Sequence, residues 1–149
     1  MTSLVTGAAG FLGRNLTAAL VQSGERVVAF GRADRRPSPS AGATWVNADL
    51  NTFDHWETLL EDVSTVYHLA WSSLPHGANA DPSRDASTNI WTTSRLLEGL
   101  RSRPGVRLSF RLGGTVYGRR DLVPFPSGTR PINLWNPPAH RRKLFEFLW

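Results

Sequence analysis

The chain has 149 residues, 40% of them hydrophobic, no cysteine and a formal net charge of +5 at pH 7. That is about one domain with an ordinary core, and it excludes a disulfide framework, a thiol nucleophile and a Cys-based zinc site. No run approaches the roughly 18 apolar residues of a membrane span, and "MTSLVTGAAG" lacks both the basic and the apolar region of a secretory leader, so a cytoplasmic protein without membrane contact is expected.

"SLVTG", an apolar run ending in glycine, predicts the first strand. From Phe11 to Ser23, Leu12, Leu16, Ala19 and Leu20 share one helical face before Gly24 stops it. "RVVAF" (26–30) predicts a buried second strand, "ATWV" (43–46) a short third, His55 to Leu60 a helix, and "TVYHLA" (65–70) a fourth strand. Pro82 to Arg103 predicts a helix with proline near its start and Ile90, Leu96, Leu97 and Leu100 at helical spacing; "VRLSF" (106–110) follows as a fifth strand. Strands alternating with helices predict an α/β fold, a doubly wound parallel sheet covered on both faces.

The pattern then breaks. Pro124, Pro126, Pro131, Pro137 and Pro138 preclude a long helix or central strand. Residues 119–149 carry five Arg and one Lys against two acidic residues, yet no stacking aromatics on a recognisable module, so a solvated tail is expected and no nucleic-acid partner. "KLFEFLW" places Phe145, Phe147 and Trp149 where something should cover them. The expected organisation is one α/β domain over 1–118 and a divergent Pro/Arg-rich tail over 119–149.

"TGAAGFLG" sets Gly7, Gly10 and Gly13 between the first strand and the first helix. Glycines there permit a tight turn and let backbone N–H groups approach a pyrophosphate at the helix N-terminus, where the dipole favours negative charge. Alone the triplet is equally a plain strand-to-helix turn. With "ADL" after the third strand, "HLA" (68–70) ending the fourth, "DPSRDASTNIWTTSRLLEGL" and "GGTVYG" (113–118), the sequence resembles the extended short-chain dehydrogenase/reductases, in particular the NAD-dependent epimerase/dehydratase family acting on nucleotide sugars. The resemblance spans about residues 2–118.

The resemblance implies a Rossmann-like domain that binds a dinucleotide through Gly7, Ala9, Gly10, Phe11, Leu12, Gly13, Arg32, Asp49, Leu50, Leu69, Ala70 and Asn89, with Asp49 against the adenine and the Ala70 region along the cofactor. A nucleotide sugar is the implied second ligand, and a homo-oligomer is left open. Plainer roles exist for the same residues: Asp49 as the cap of a helix beginning near Thr52, His68 as a buried strand histidine, Asn89 as a polar residue on a helix face. His55, His68, His76 and His140 show no close metal-ligand spacing, and no metal is expected. NAD-preferring members carry an acidic residue at the end of the second strand; here stand Gly31 and Arg32, with Arg35 and Arg36 near, which suits a 2′-phosphate. The same arginines also read as a solvated loop, so NAD and NADP both stay open.

Family catalysis uses a tyrosine in Tyr-x-x-x-Lys as general base and a Ser or Thr that orients the substrate, the lysine stabilising the phenolate. Four residues beyond Tyr67 and Tyr117 stand Trp71 and Asp121, the Ser/Thr position is Gly113, Thr115 is a weak substitute, and Lys143 has no tyrosine at the required spacing. No catalytic residue is therefore assigned. The expectation is the NAD(P)-binding portion of an epimerase/dehydratase-like protein, truncated before its substrate domain by a disrupted frame or a genuine stop, and catalytically impaired. The alternatives are a non-catalytic cofactor-binding or sensor protein, and an unstable fragment.

Overall fold

Every position of β1 (Thr2–Thr6) is buried, as a central strand must be when helices cover both faces of a parallel sheet. The structure, a computed structural model, describes residues 1–32, 42–71 and 80–110. After β1 come α1 (Phe11–Gln22), β2 (Arg26–Gly31), β3 (Ala43–Asn47), the short α2 (Trp56–Leu59) and β4 (Thr65–His68). A composite helix follows, made of α3 (Pro82–Asp85), a π-helical segment (Ala86–Trp91) and α4 (Thr92–Arg101), and β5 (Arg107–Phe110) ends the described chain. The five strands form one parallel sheet in the order β3-β2-β1-β4-β5.

Register divides the sheet between two cores. Leu4 stands beside Val28 and Val66, and Val66 beside Leu108; these side chains join Phe30, Trp56, Leu60, Val63 and Leu96 beneath α2 and α4. One residue on, Val5 stands beside Ala29 and Tyr67, and that row joins Val27, Ala8 and Leu20 beneath α1. The two-residue period of a strand sends alternate side chains to opposite faces, and each face has its own helices. The sheet is doubly wound, as the alternation of elements predicts.

Three local expectations change. In α1 the buried residues are Gly13, Thr17 and Leu20, whereas Leu12 and Ala19, expected on the inner face, are exposed. The cause is Gly13: a Cβ there would lie 2.7 Å from Ala8 Cα, so the bare glycine backbone, not the most apolar face, sets the rotation of the helix. Secondly, no helix begins near Thr52. Asp49 Oδ1 accepts from the Asn51 backbone N–H at 2.9 Å, an Asx turn, and α2 starts at Trp56 with His55 as its N-cap.

Thirdly, the helix expected over 82–103 contains the π turn. Such a turn holds one residue more than an α-turn, so amides overshoot the usual i−4 carbonyls. Hydroxyls add bonds to the carbonyls around it. Ser87 and Thr88 donate to Arg84 O at 2.9 and 2.8 Å, Thr92 to Thr88 O at 2.8 Å, Thr93 to Asn89 O at 2.6 Å and Ser94 to Ile90 O at 2.9 Å. Side-chain hydroxyls that bond back to the helix in this way compete with regular α geometry. The extra residue also turns the buried face: Asn89, Thr92, Thr93 and Leu96 are buried and Ile90 only half-buried. Arg35, Arg36, His76, Gly113, Thr115, Tyr117, Lys143, the boundary at 118 and the proline-rich tail lie outside the described residues.

Candidate functional site

In an open parallel sheet ligands bind beyond the carboxyl ends of the strands, where the strand order reverses. Here the reversal falls between β1 and β4, since β1 leads outward to β2 and β3 while β4 leads the other way to β5. A cleft of about 840 Å³ lies there, within the range of small-molecule sites. Every strand from β1 to β4 contributes the residues just past its end: Gly7, Ala9 and Gly10 after β1; Gly31 and Arg32 at β2; Ala48 to Asn51 after β3; Leu69 to Trp71 after β4. The composite helix closes the far wall with Asp81, Arg84, Asp85, Thr88 and Asn89.

The glycines do different work. Gly7 has φ +68, and a Cβ there would sit 2.7 Å from Ala70 N and 2.8 Å from Leu69 C, so the β1 turn can lie against the exit of β4 only without a side chain. Gly10, the N-cap of α1, has ordinary extended geometry. A Cβ on it would meet only Gly7 O, at 3.2 Å. The bare backbone of Gly10 therefore borders open cleft. Arg14 N–H donates to Gly10 O at 3.0 Å as the first intrahelical bond, so the amides of Phe11, Leu12 and Gly13 precede any intrahelical acceptor. No acidic residue lies in that first turn, and the positive end of the helix dipole is left for an anion.

Asp49 and Arg32 face one another on the opposite lip, Arg32 Nη1 standing 3.8 Å from Asp49 Oδ2. Hydrogen bonding from the Asn51 backbone, with the Asn51 amide and the Arg32 charge adding to it against a burial penalty, holds the Asp49 carboxyl below its ordinary value. Asp81 caps the composite helix by accepting from Arg84 N at 2.9 Å, and Asn89 Nδ2 donates to Asp85 Oδ1 at 2.7 Å.

Of the residues expected to bind cofactor, the structure gathers Gly7, Ala9, Gly10, Arg32, Asp49, Leu50, Leu69, Ala70 and Asn89 around one cleft. Phe11 and Leu12 form the exposed first turn of α1, and Gly13 is buried beneath it; these three, expected to bind cofactor, are not among the residues that line the cleft. Asp81, Arg84, Asp85 and Thr88 were missed. The Asp-Pro pair at 81–82, a capping residue followed by proline at the first helical position, was the available signal. His68 is buried, and its ring bonds to Thr6 Oγ1 at 2.7 Å and Thr93 Oγ1 at 3.1 Å. Burial lowers its pKa from 6.5 to about 4, so the ring is neutral. Tyr67 packs into the core beneath α1, away from the cleft lining, while Trp71, four residues on, stands at the rim. Among the described residues no group of three or more His, Cys, Asp or Glu is placed to hold a metal ion, and no helix is long and apolar enough to cross a membrane.

Comparison with known proteins gives a consistent result. Residues 3–139 match the model of the NAD dependent epimerase/dehydratase family. The UDP-glucose 4-epimerase of Mycolicibacterium smegmatis is 36% identical over 93% of this chain and 47% of its own length. UDP-glucuronic acid decarboxylase 1 of Danio rerio is 32% identical over 81% of this chain and 29% of its own length. Among solved structures, MoeE5 in complex with UDP-glucose and NAD has a TM-score of 0.71 and 33% identity, over 81% of this chain and 39% of that one. The UDP-glucose 4-epimerase of Thermotoga maritima, solved with UDP-glucose, has a TM-score of 0.70 and 27% identity, over 88% and 44%. The chain spans less than half the length of each of these relatives.

Proposed function

The chain belongs to the NAD dependent epimerase/dehydratase family, and from that premise we propose that it is the NAD(P)-binding portion of a protein acting on a nucleotide sugar, with turnover impaired in this chain. The observation that carries the reading is the bare backbone of Gly10 beside the first-turn amides of α1, opening on a cleft of about 840 Å³. A diphosphate fits this place: it needs close approach to backbone, donors not already used by the helix, and no carboxylate in the first helical turn. Gly10 and the amides of Phe11, Leu12 and Gly13 would hold the diphosphate. Asp49 and Leu50 would border the adenine end, with Leu69, Ala70 and Asn89 along the rest. Bound nicotinamide supplies a reversible hydride acceptor.

The proposed domain runs over 1–118 with a divergent tail over 119–149, and the proposed setting is cytoplasmic. Impairment rests on the sequence: neither tyrosine is followed four residues on by lysine, so no phenolate is paired with the cation that would let it act as base near neutral pH. The second reading is a cofactor-binding or sensor protein without turnover. Calorimetric titration of the full chain with NAD and NADP, followed by incubation with NAD and UDP-glucose, tests both parts. Saturable binding without product is expected. Failure to bind either dinucleotide overturns the reading, and formation of an epimer or a keto sugar overturns the impairment.

A further inference from the structure

We propose that His68 is a positioning residue which clamps the two walls of the dinucleotide cleft together at the switch point of the sheet; this rests on the reading given under Proposed function. Thr6 and His68 are register partners in the last paired row of β1 and β4. Each is followed at once by a cleft segment, Thr6 by Gly7 and His68 by Leu69 and Ala70. The far wall is the composite helix, with Asp85 at the end of α3 and Asn89 in the π turn.

The hydrogen bonds leave one arrangement of protons. Thr93 has a single hydroxyl proton, and it goes to Asn89 O at 2.6 Å, so toward His68 that oxygen can only accept. His68 Nε2 must then carry the ring proton and donate across 3.1 Å. In a neutral imidazole Nδ1 is then bare, and it accepts the Thr6 hydroxyl at 2.7 Å. The result is a directed chain from Thr6 through His68 and Thr93 to the Asn89 carbonyl, joining β1, β4 and the π turn across sequence separations of 62 and 25 residues. Every member is buried, so none of these bonds has a water replacement ready, and a lost partner leaves a buried polar atom unsatisfied.

The clamp acts on geometry that binding requires. The Asn89 carbonyl takes the Thr93 hydroxyl beside a backbone N–H and the Thr92 hydroxyl, and the same residue lines the cleft, its side-chain amide donating to Asp85. Without the Thr93 hydroxyl, His68 Nε2–H loses its acceptor and the turn loses a tie that keeps Asn89 opposite the glycine loop. A ring that only filled space would need neither partner.

The test uses the full chain with NAD as probe and three forms: the parent, Thr93→Val, which keeps shape and removes the hydroxyl, and Thr93→Ser, which restores it. Loss of one buried partner should weaken NAD binding about tenfold in Thr93→Val, with Thr93→Ser within about twofold of the parent. Nitrogen-15 NMR of the His68 ring should show the Nε2–H tautomer in the parent, and Thr93→Val should move the amide signals of Asp85 and Asn89. Unchanged NAD affinity in Thr93→Val, whatever its melting temperature, reduces His68 to a stability role and overturns the proposal, as does an Nδ1–H tautomer. If the parent itself fails to bind NAD, the proposed function falls. The tautomer and the Asp85 and Asn89 signals still decide whether the clamp holds the π turn.

Discussion

Replacing Gly10 by alanine separates binding from folding at the glycine loop. Gly10 has φ −75 and ψ 171, which any residue adopts, and its added Cβ would meet only Gly7 O at 3.2 Å. Restricting the unfolded chain gains about 0.4–1 kcal/mol for Gly→Ala at a compatible site; mild crowding offsets part of that, so Gly10→Ala should stay within about 0.5 kcal/mol of the parent. The methyl nevertheless projects where a diphosphate must come within hydrogen-bonding distance of backbone N–H groups, about 2.9 Å. NAD binding should fall tenfold or more, about 1.4 kcal/mol. Gly7→Ala should behave in the opposite manner. Its φ of +68 costs an L-residue about 1–2 kcal/mol. Its Cβ would also press on backbone atoms of Ala70 and Leu69 at 2.7 and 2.8 Å, for a total loss of about 3 kcal/mol or more. Gly24→Ala, at φ +83 with nothing within 4 Å, isolates the backbone cost alone. Urea unfolding and calorimetric titration with NAD read the two quantities. Parent-like NAD affinity in Gly10→Ala, or destabilisation as large as that of Gly7→Ala, refutes the assignment of the diphosphate to this loop.

Arg32 should discriminate between dinucleotides: if its guanidinium grips a 2′-phosphate, Arg32→Ala loses about tenfold in NADP affinity and little for NAD, and equal losses for both would show that it serves neither preferentially. His68 should make stability depend on pH in a stated direction. Its folded pKa of about 4 lies below the ordinary 6.5, so the unfolded chain takes up the proton first. Its contribution is complete above pH 6.5 and is lost as pH falls from 6.5 toward 4, by about 2 kcal/mol between pH 7 and 5. His68→Asn should flatten that slope in paired urea titrations, and an unchanged slope would assign it to other groups. Gly99→Ala in α4 sets helix propensity against packing. Alanine gains about 1 kcal/mol as a helix former, but its Cβ would stand 2.6 Å from Trp56 Cβ, so a net loss of about 1–3 kcal/mol is expected, and a rise in melting temperature would show that Trp56 yields.

The strands, the first helix and the glycine loop were legible in the sequence because their signals are local. Five apolar runs, each only a few residues from a turn or helix signal, announce the parallel sheet, and "TGAAGFLG" between a strand and a helix announces an anion site whatever the distant chain does. Asp49, singled out from the sequence, does line the cleft, although its local role is an Asx turn with Asn51 and not a helix cap. The inner face of α1 was misread because apolar side chains were counted, whereas the contact that seats the helix is made by Gly13, which has none.

Local pattern thus determined the element types, the two-faced sheet and the place of the glycine loop. Tertiary structure decided the rest: the strand order that puts the switch point between β1 and β4, and the meeting of His68 with Thr6 and Thr93. It also made use of a hydroxyl-rich stretch, Ser87 to Ser94, as a π turn that brings Asn89 inward in place of Ile90. A 3.6-residue periodicity has no means of registering one inserted residue, and the hydrogen-bond partners of a buried histidine lie 62 and 25 residues away, beyond the reach of any short window of sequence.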